Sequence, residues 1–313
     1  MILINNGDVL SMRLRQLDLN LLVVLDILLS EQSVARTAER LNVTQPAVSN
    51  SLARLRTHFE DELLVRTGRR MILTQLAENM KDPVRHVILE LQTIAELRAD
   101  FDPNMASREF TIAASDYASV TFLCGVTRLL ERAGAQMRLK ILPLTNANIS
   151  LFGRGEIDFL LLPGSVAIDD QFRQTLFRET YTCIARQDSS EIGSRIDLET
   201  YLSRSHVVGS IDTDERLIAH EEDYLMKNGI ERNVAIVTPG FAQLPYFVVG
   251  TGYIATVHRR LAEQACKTLP LKIVEPEFSL PEITLQLQWH AARNADIANV
   301  WLRDTIGDFA AGY

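Results

Sequence analysis

The chain has 313 residues, 47% of them hydrophobic and 23% charged, with a formal net charge of −8. This length accommodates two or three domains, and the composition is globular rather than disordered or fibrous. The longest apolar stretch, Leu19 to Leu29, carries Asn20 and Asp26 and is too short to span a bilayer, and the opening MILINNGD lacks the features of a secretory signal. Cys124, Cys183 and Cys266 are odd in number and widely spaced, with no C-x-x-C, so packed thiols in a reducing, cytoplasmic compartment are expected. Neither a disulfide frame nor a metal site is.

Charge is partitioned along the chain. Residues 1–98 hold 12 Lys/Arg and 12 Asp/Glu, whereas residues 99–313 hold 20 and 28. All of the net acidity therefore lies in the second part. Between Ser33 and Leu73, Arg36, Arg40, Arg54, Arg56, Arg66, Arg69 and Arg70 outnumber Glu39, Glu60, Asp61 and Glu62, a modest basic face.

Asp18 is placed to cap a helix through Ser30 that is apolar nearly all round (Leu19, Leu21, Leu22, Val24, Leu25, Leu28), as a core helix is. Ser33 caps a short helix with inward Val34, Ala38 and Leu41 at i, i+4 and i+7. Asn42-Val43 breaks that pattern. Thr44 is a natural N-cap for a third helix, with Pro46 tolerated in its first turn. Val48, Leu52, Leu55 and Phe59 form one stripe of it, and Pro46, Asn50, Ala53, Arg54 and Thr57 lie opposite, with Gln45 and Ser49 at the exposed start. Two helices joined by a tight turn, the second showing Gln, Ser, Asn and Arg to water, have the geometry that enters a major groove. Gln and Asn can pair bidentately with adenine, and Arg with guanine or phosphate. A solvated amphipathic helix has the same periodicity. The segment beyond the third helix favours DNA: Leu63–Arg66 and Met71–Leu73 flank Thr67-Gly68-Arg69-Arg70, a short hairpin with a basic tip that can reach phosphates or a minor groove.

The run LDLNLLVVLDILLSEQSVARTAERLNVTQPAVSNSLARLRTHFEDELLVRTGRRMILT resembles the winged helix-turn-helix of LysR-type transcriptional regulators. The stretch A-x-x-L-N-V-T-Q-P-A-V-S, Ala38 to Ser49, is highly specific for that family, and the resemblance covers the whole chain, strongly to about residue 75 and more loosely afterwards. The wording of the first helix is similar to the branch containing the nodulation regulator NodD and the naphthalene/salicylate regulator NahR. Leu73-Thr74-Gln75-Leu76-Ala77 lacks the Thr-Pro-x-Gly wording usual in the family, which leaves the start of the next helix open. On this reading residues 1–11 are an N-terminal extension, 12–75 the DNA-binding domain, 76–100 a linker and dimerisation helix, and 101–313 an effector-binding domain. Thr44, Gln45, Pro46, Ser49, Asn50 and Arg54 are the expected readers of double-stranded DNA, with Arg66, Arg69 and Arg70 anchoring the wing.

Met80, Val84, Val87, Leu91 and Ile94 recur at 4-3-4-3, an a/d seam of about two heptads. Pro83 either starts this helix or kinks it. A helix packed on its own domain shows the same pattern. The resemblance implies that the linker helix pairs two chains, commonly within a tetramer, with RNA polymerase a further candidate partner.

Phe101-Asp102-Pro103-Asn104 closes the linker. Beyond it, predicted strands at Phe110–Ala114, Leu139–Leu142, Phe159–Leu162, Tyr181–Ala185, Val207–Ser210, Ala235–Val237, Ile254–Val257 and Leu285–Trp289 alternate with helical patterns near 118–133, 214–228, 241–249 and 296–310. That alternation predicts an α/β fold with mainly parallel sheets, in which ligands sit beyond the strands' carboxyl ends. The loops there are Ser115-Asp116, Thr145-Asn146, Pro163-Gly164 and Pro239-Gly240-Phe241.

The resemblance implies a periplasmic-binding-protein-like pair of subdomains, about 108–165 with 281–313 and about 180–280, holding an effector between them. It assigns Ser115, Asp116, Thr145, Pro239 and Phe241 to the effector site, with His206 a further candidate. The free N–H groups at Pro239–Phe241 are expected to favour an anionic or polar ligand group. Ser115, Asp116 and Thr145 serve equally well as helix caps, Phe241 equally well as core, and His206 is more simply a satisfied structural histidine. Tyr117, Phe122, Phe241, Tyr246 and Trp289 suit an apolar pocket or a core. The branch resemblance suggests an aromatic or phenolic effector, an aromatic acid or flavonoid-like compound among the options.

The rival reading is an enzyme, or a non-regulatory small-molecule-binding protein, with an appended DNA-binding domain. There is no G-x-S-x-G, H-E-x-x-H or G-x-x-x-x-G-K-[ST]. His220-Glu221-Glu222-Asp223 lacks a second histidine and reads as an exposed acidic helix. Gly153-Arg154-Gly155 and Gly250-Thr251-Gly252 precede strands, which is the wrong side for a dinucleotide loop. No cofactor is expected.

Overall fold

The structure is a computed structural model, and it describes residues 18–68, 70–96, 102–105, 108–169, 171–210 and 220–313. Arg69, residues 1–11 and the start of the helix expected near 214–228 lie outside the described residues. The chain divides into two compact units, Met1–Glu96 and Leu97–Tyr313.

In the first unit, helix α1 (Leu19–Glu31) begins where the Asn20 N–H donates to Asp18 Oδ1 at 3.0 Å. Helix α2 (Val34–Leu41) is capped by Ser33 Oγ, which accepts from the Arg36 N–H at 3.3 Å. Asn42, at φ 54°, turns the chain toward α3 (Gln45–Phe59). Thr44 holds the cap position of α3, but its hydroxyl makes no capping bond, contrary to the expected cap. Leu25, Leu28, Leu29, Ala38, Val48, Leu52 and Leu55 join Leu63, Leu64 and Leu73 in one core, so both helices of the motif pack on α1. Each leucine so buried contributes about 1.5–3 kcal/mol.

Strands β1 (Leu64–Thr67) and β2 (Arg70–Leu73) pair antiparallel, Leu64 with Leu73 and Thr67 with Arg70. Gly68 enters the turn at φ +63°, a conformation that glycine adopts without penalty. Thr74 settles where the next helix starts: its hydroxyl accepts from the Ala77 N–H at 3.2 Å and donates to Asp61 at 2.6 Å, and α4 runs Gln75–Glu96. Pro83 therefore lies inside the helix and removes the N–H that would bond the Asn79 carbonyl. The expected seam divides. Met80, Val84 and Leu91 pack into the unit's own core with Ile88, and an Arg85–Asp26 ion pair of 2.8 Å holds α4 to α1. Val87 and Ile94 face outward with Leu76.

In the second unit one curled sheet runs β4 (Arg138–Pro143), β3 (Glu109–Ala114), β5 (Phe159–Pro163), β12 (Glu282–Trp289), β6 (Phe172–Arg186), β11 (Leu271–Pro276), β7 (Arg195–Ile196), and β10 (Ala255–His258) also pairs with β6. Strands β8 (Ser205–Gly209) and β9 (Asn233–Thr238) form a separate parallel pair. The expectation of mainly parallel sheets is corrected: β12 is antiparallel to both β5 and β6, and β10 and β11 are antiparallel to β6. Apolar runs buried on both faces look alike in either direction, so periodicity could not decide it. The 15-residue β6 was legible only in its last third, and β7 and β11 were not expected at all.

A helical run covers the sheet after β3: one turn at Asp116–Ala118, a π turn at Ser119–Leu123, then α5 (Cys124–Arg132). Its Phe122, Leu123 and Val126 meet Leu302 and Ile306 of the last helix, Ile297–Ala311, in the largest core cluster. At the opposite end of the strands, Arg108 Nη1 lies 2.7 Å from Asp296 and Nη2 lies 3.6 Å from Asp158. Asp296 also accepts the Ala298 and Asn299 N–H groups at 3.1 Å, so one ionic group ties the start of β3 to the start of the last helix. Arg108→Ala leaves Asp158 and Asp296 in a largely dry setting to share the more distant counter-charge of Arg293, whose Nη1 lies 3.6 Å from Asp296. It is expected to cost about 2–4 kcal/mol, allowing for the arginine's partial exposure. Trp289 and Trp301, the chain's two tryptophans, both lie in this unit, so a lowered urea midpoint by tryptophan fluorescence checks it; an unchanged midpoint contradicts it.

Candidate functional site

Two surfaces carry the residues singled out from sequence, one in each unit. In the first, Thr44, Gln45, Pro46, Ser49, Asn50 and Arg54 are all exposed on α3, opposite buried Val48, Leu52 and Leu55. Ser51 and Thr57 turn their hydroxyls back to the helix carbonyls of Ala47 and Ala53, each at 3.1 Å. Among the described residues the side chains of Gln45, Ser49 and Asn50 make no such bond, so their donors and acceptors face solvent. Arg54 pairs with Asp18 at 3.2 Å. That pair is exposed and screened, so a phosphate or base can compete for the guanidinium. Arg56 serves the fold instead, donating to the carbonyls of Glu62 and Leu64 at 2.8 Å and bracing the wing against α3. Arg66 donates to the Gly68 carbonyl at 3.2 Å, and Arg70 is exposed at the hairpin end. Arg69 lies outside the described residues.

In the second unit the loops after β3 and β9 meet. Ser115 Oγ accepts from the Ala118 N–H at 3.2 Å, and Thr145 Oγ1 accepts from the Asn148 N–H at 3.2 Å, so both cap helices. Asp116 does more. Its Oδ1 accepts the Phe241 N–H at 2.9 Å and its Oδ2 the Ala242 N–H at 2.8 Å. The N–H groups expected to be free for an anionic ligand are thus held by the protein's own carboxylate, which corrects that expectation. Pro239 is exposed, while Phe241 is buried in the main core cluster. His206 is fully buried, its Nε2 2.8 Å from the Tyr201 carbonyl oxygen, and burial pushes its pKa down to about 4.

Of the aromatics, Tyr117 and Phe241 converge on His258. The Tyr117 ring stacks on the imidazole at 3.7 Å, Tyr181 lies at 4.7 Å, and Phe241 meets it edge-on at 5.0 Å. Phe122 packs instead with Phe177, Phe309 and Tyr313, Trp289 stacks on Phe172, and Tyr246 is exposed. The Tyr117 hydroxyl donates to buried Glu179, which also accepts from Arg260 at 3.2 Å. Burial, then Glu179, raises the Tyr117 pKa far above the ordinary tyrosine range, and burial lowers that of His258 to about 3. The hydroxyl stays protonated and the imidazole neutral. Glu221 corrects the reading of an exposed acidic helix: it is buried, shares a hydrogen bond with Tyr181, and burial raises its pKa to about 7. Glu222 pairs with Arg232 beside it. A cavity of about 110 Å³ opens elsewhere, among Arg186, Glu191, Arg204 and Tyr253.

Sequence reasoning missed Glu179, His258 and Arg260. His258 to Arg260 follow the strand read as Ile254–Val257, so the rule that points to loops after strands applied to them. Glu179 gave no signal, being one carboxylate within a strand that was read too short. No group of His, Cys, Asp and Glu among the described residues could hold a metal ion, and no described helix is long and apolar enough to cross a membrane.

A family model described as a bacterial regulatory helix-turn-helix protein, lysR family, matches residues 19–78. A second, the LysR substrate binding domain, matches residues 103–311. The chain is similar to Nodulation protein D 1 of Bradyrhizobium sp. (strain NC92), 36% identical over 300 residues, which is 96% of this chain and 95% of the relative. It is also similar to the solved structure of a probable transcriptional regulator from Pseudomonas aeruginosa, with TM-score 0.62 and 28% identity over 95% of this chain and 98% of that one. Full-length OxyR from the same organism shares the fold, with TM-score 0.71 and 18% identity over 94% of this chain and 95% of that one.

The buried groups predict how stability follows pH. The unfolded chain takes up protons on His206 and His258 near pH 6.5, whereas the folded unit refuses them until about 4 and about 3. Their contribution is lost as pH falls below 6.5. Glu221 acts oppositely: its folded value of about 7 lies above the ordinary 4.5, so its contribution is full below 4.5 and lost as pH rises toward 7. Two histidines outweigh one glutamate, so the urea midpoint should fall from pH 6.5 to about 5. Glu221→Gln should steepen that fall, and a shallower one would contradict the assignment.

Proposed function

The chain belongs to the LysR family of bacterial helix-turn-helix regulators, and from that premise we propose that it binds operator DNA through α3 and the wing under the control of a small aromatic or phenolic effector. The observation that carries the DNA reading is the row Gln45, Ser49 and Asn50, exposed and unbonded on a helix whose opposite stripe is locked into a core. Such side chains read base edges, while Arg66, Arg69 and Arg70 meet the phosphates. Arg54 joins them by exchanging Asp18 for a base or phosphate.

One such unit covers too little DNA for high specificity, and two held a helical turn apart read a symmetric site. Exposed Leu76, Val87 and Ile94 along α4 support pairing of two chains through that helix, and we extend this to a dimer of dimers on the family resemblance. The effector reading rests on the converging rings of Tyr117, Tyr181, Phe241 and His258 between the strand ends that the family uses. A ligand acts as a switch only if it binds two arrangements of the protein unequally.

Asn50→Ala is expected to weaken specific operator binding by about 1–3 kcal/mol and to relax preference at one base position. Competition binding against operator variants measures both, and an unchanged preference would remove Asn50 from the recognition surface.

A further inference from the structure

Two successive main-chain N–H groups, those of Phe241 and Ala242, are satisfied by a single side chain from the opposite strand end. Asp116 Oδ1 accepts from Phe241 at 2.9 Å and from its own neighbour Tyr117 at 2.8 Å, and Oδ2 accepts from Ala242 at 2.8 Å. A Cβ at Gly240 would lie 2.3 Å from Oδ2, so glycine is what lets the carboxylate approach this closely. A carboxylate oxygen offers about two lone-pair sites. Oδ1 has used both. Oδ2 has used one, and the half-buried carboxylate keeps that remaining site within reach of a ligand.

The surroundings repeat the theme. Glu179, 2% exposed, accepts the Tyr117 phenol, and the buried His258 ring stacked on that phenol carries an Nδ1 that finds no hydrogen-bond partner among the described residues. The paired N–H donors that would receive an acid are thus occupied by Asp116, and the second carboxylate nearby, Glu179, is itself paired with Arg260.

We propose that Asp116 sets the chemical class of the effector, so that the crevice takes uncharged aromatics bearing a hydroxyl donor and refuses aromatic carboxylates. The proposal rests on the reading that the effector enters between these strand ends. A ligand carboxylate brought to Phe241 and Ala242 would face the Asp116 carboxylate at close range, where like charges repel and the N–H groups that could offset the charge are already taken. A hydroxyl instead donates to the open site on Oδ2 and breaks none of the three bonds. Asp116 is thereby a specificity-determining residue whose charge, rather than shape, makes the choice.

The test uses the full-length protein and a matched pair of probes, 4-methylphenol and 4-methylbenzoate, titrated calorimetrically into the wild type, Asp116→Asn and Asp116→Ala. The wild type should bind the phenol more tightly than the acid by about tenfold or more, and both variants should cancel or invert that ratio. Amide exchange at Phe241 and Ala242 should quicken in Asp116→Ala, showing that a folded protein has lost the bridge. Equal affinities in the wild type, no response of the wild type to the phenol, or an unchanged ratio in both variants would overturn the proposal. Operator binding by the same samples separates the two readings. If it persists while the ratio fails, only the role of Asp116 falls; if the wild type does not bind operator, the proposed function falls.

Discussion

The strand Phe172–Arg186 must satisfy its main-chain hydrogen bonds along its whole length, and it does so with different neighbours at its two ends. From Phe172 to Thr180 it pairs with β12, with a register shift at Leu285/Gln286; from Tyr181 onward it pairs with β10 and then β11. The handover falls between Thr180 and Tyr181. Glu179 and Tyr181 therefore sit where one half of the sheet gives way to the other, and His258 lies directly opposite Tyr181. The buried Tyr117–Glu179–Arg260 link and the rings around His258 depend on that register. A slip of one residue would send each β6 side chain to the other face.

The first unit rests on a different economy. Its four helices share one leucine-rich core, and most of the positions left over on α3 are polar and outward. Because its acidic and basic side chains balance, it has little general attraction for nucleic acid, and much of its basic side chain is already engaged. Arg36 and Arg40 pair with Glu31, Arg56 braces the wing, and Arg54 leans on Asp18. Under the function proposed above, discrimination rests on neutral side chains of α3 and on the placing of two copies, which suits a regulator that must leave most DNA unoccupied.

Legibility in the sequence followed the range of the interactions involved. Ser33, Thr44 and Asn42 act on neighbours within four residues, so the helix boundaries around the turn were readable, although the Thr44 hydroxyl proved to be unused. The seam in α4 was readable as a stripe but not as an interface, since Met80, Val84 and Leu91 found partners within their own unit while Val87 and Ile94 did not. Strand direction was not readable. The Leu160–Leu162 and Cys183–Ala185 runs are buried on both faces and carry no mark of which way a neighbour runs. Ser115 and Thr145 were readable as caps, the role they perform, whereas Asp116 lies inside the turn that Ser115 caps and accepts from Phe241 and Ala242 across the fold.

What the sequence by itself determined is the reading unit: a capped helix pair, a polar outer face on the second helix, and a basic hairpin beside it. Periodicity and capping are local, and the residues that create them lie next to one another in the chain. What only the tertiary structure decided is the setting of Asp116 and of the rings around His258. Asp116 and Phe241 are 125 positions apart, as no local pattern could register, and Tyr117 reaches Glu179 and His258 across comparable gaps. The loop expected to offer free N–H groups to an anion had its anion supplied by the chain. That outcome turns on three-dimensional proximity and on a glycine narrow enough to permit it, and these exist only once both strand ends are folded against each other.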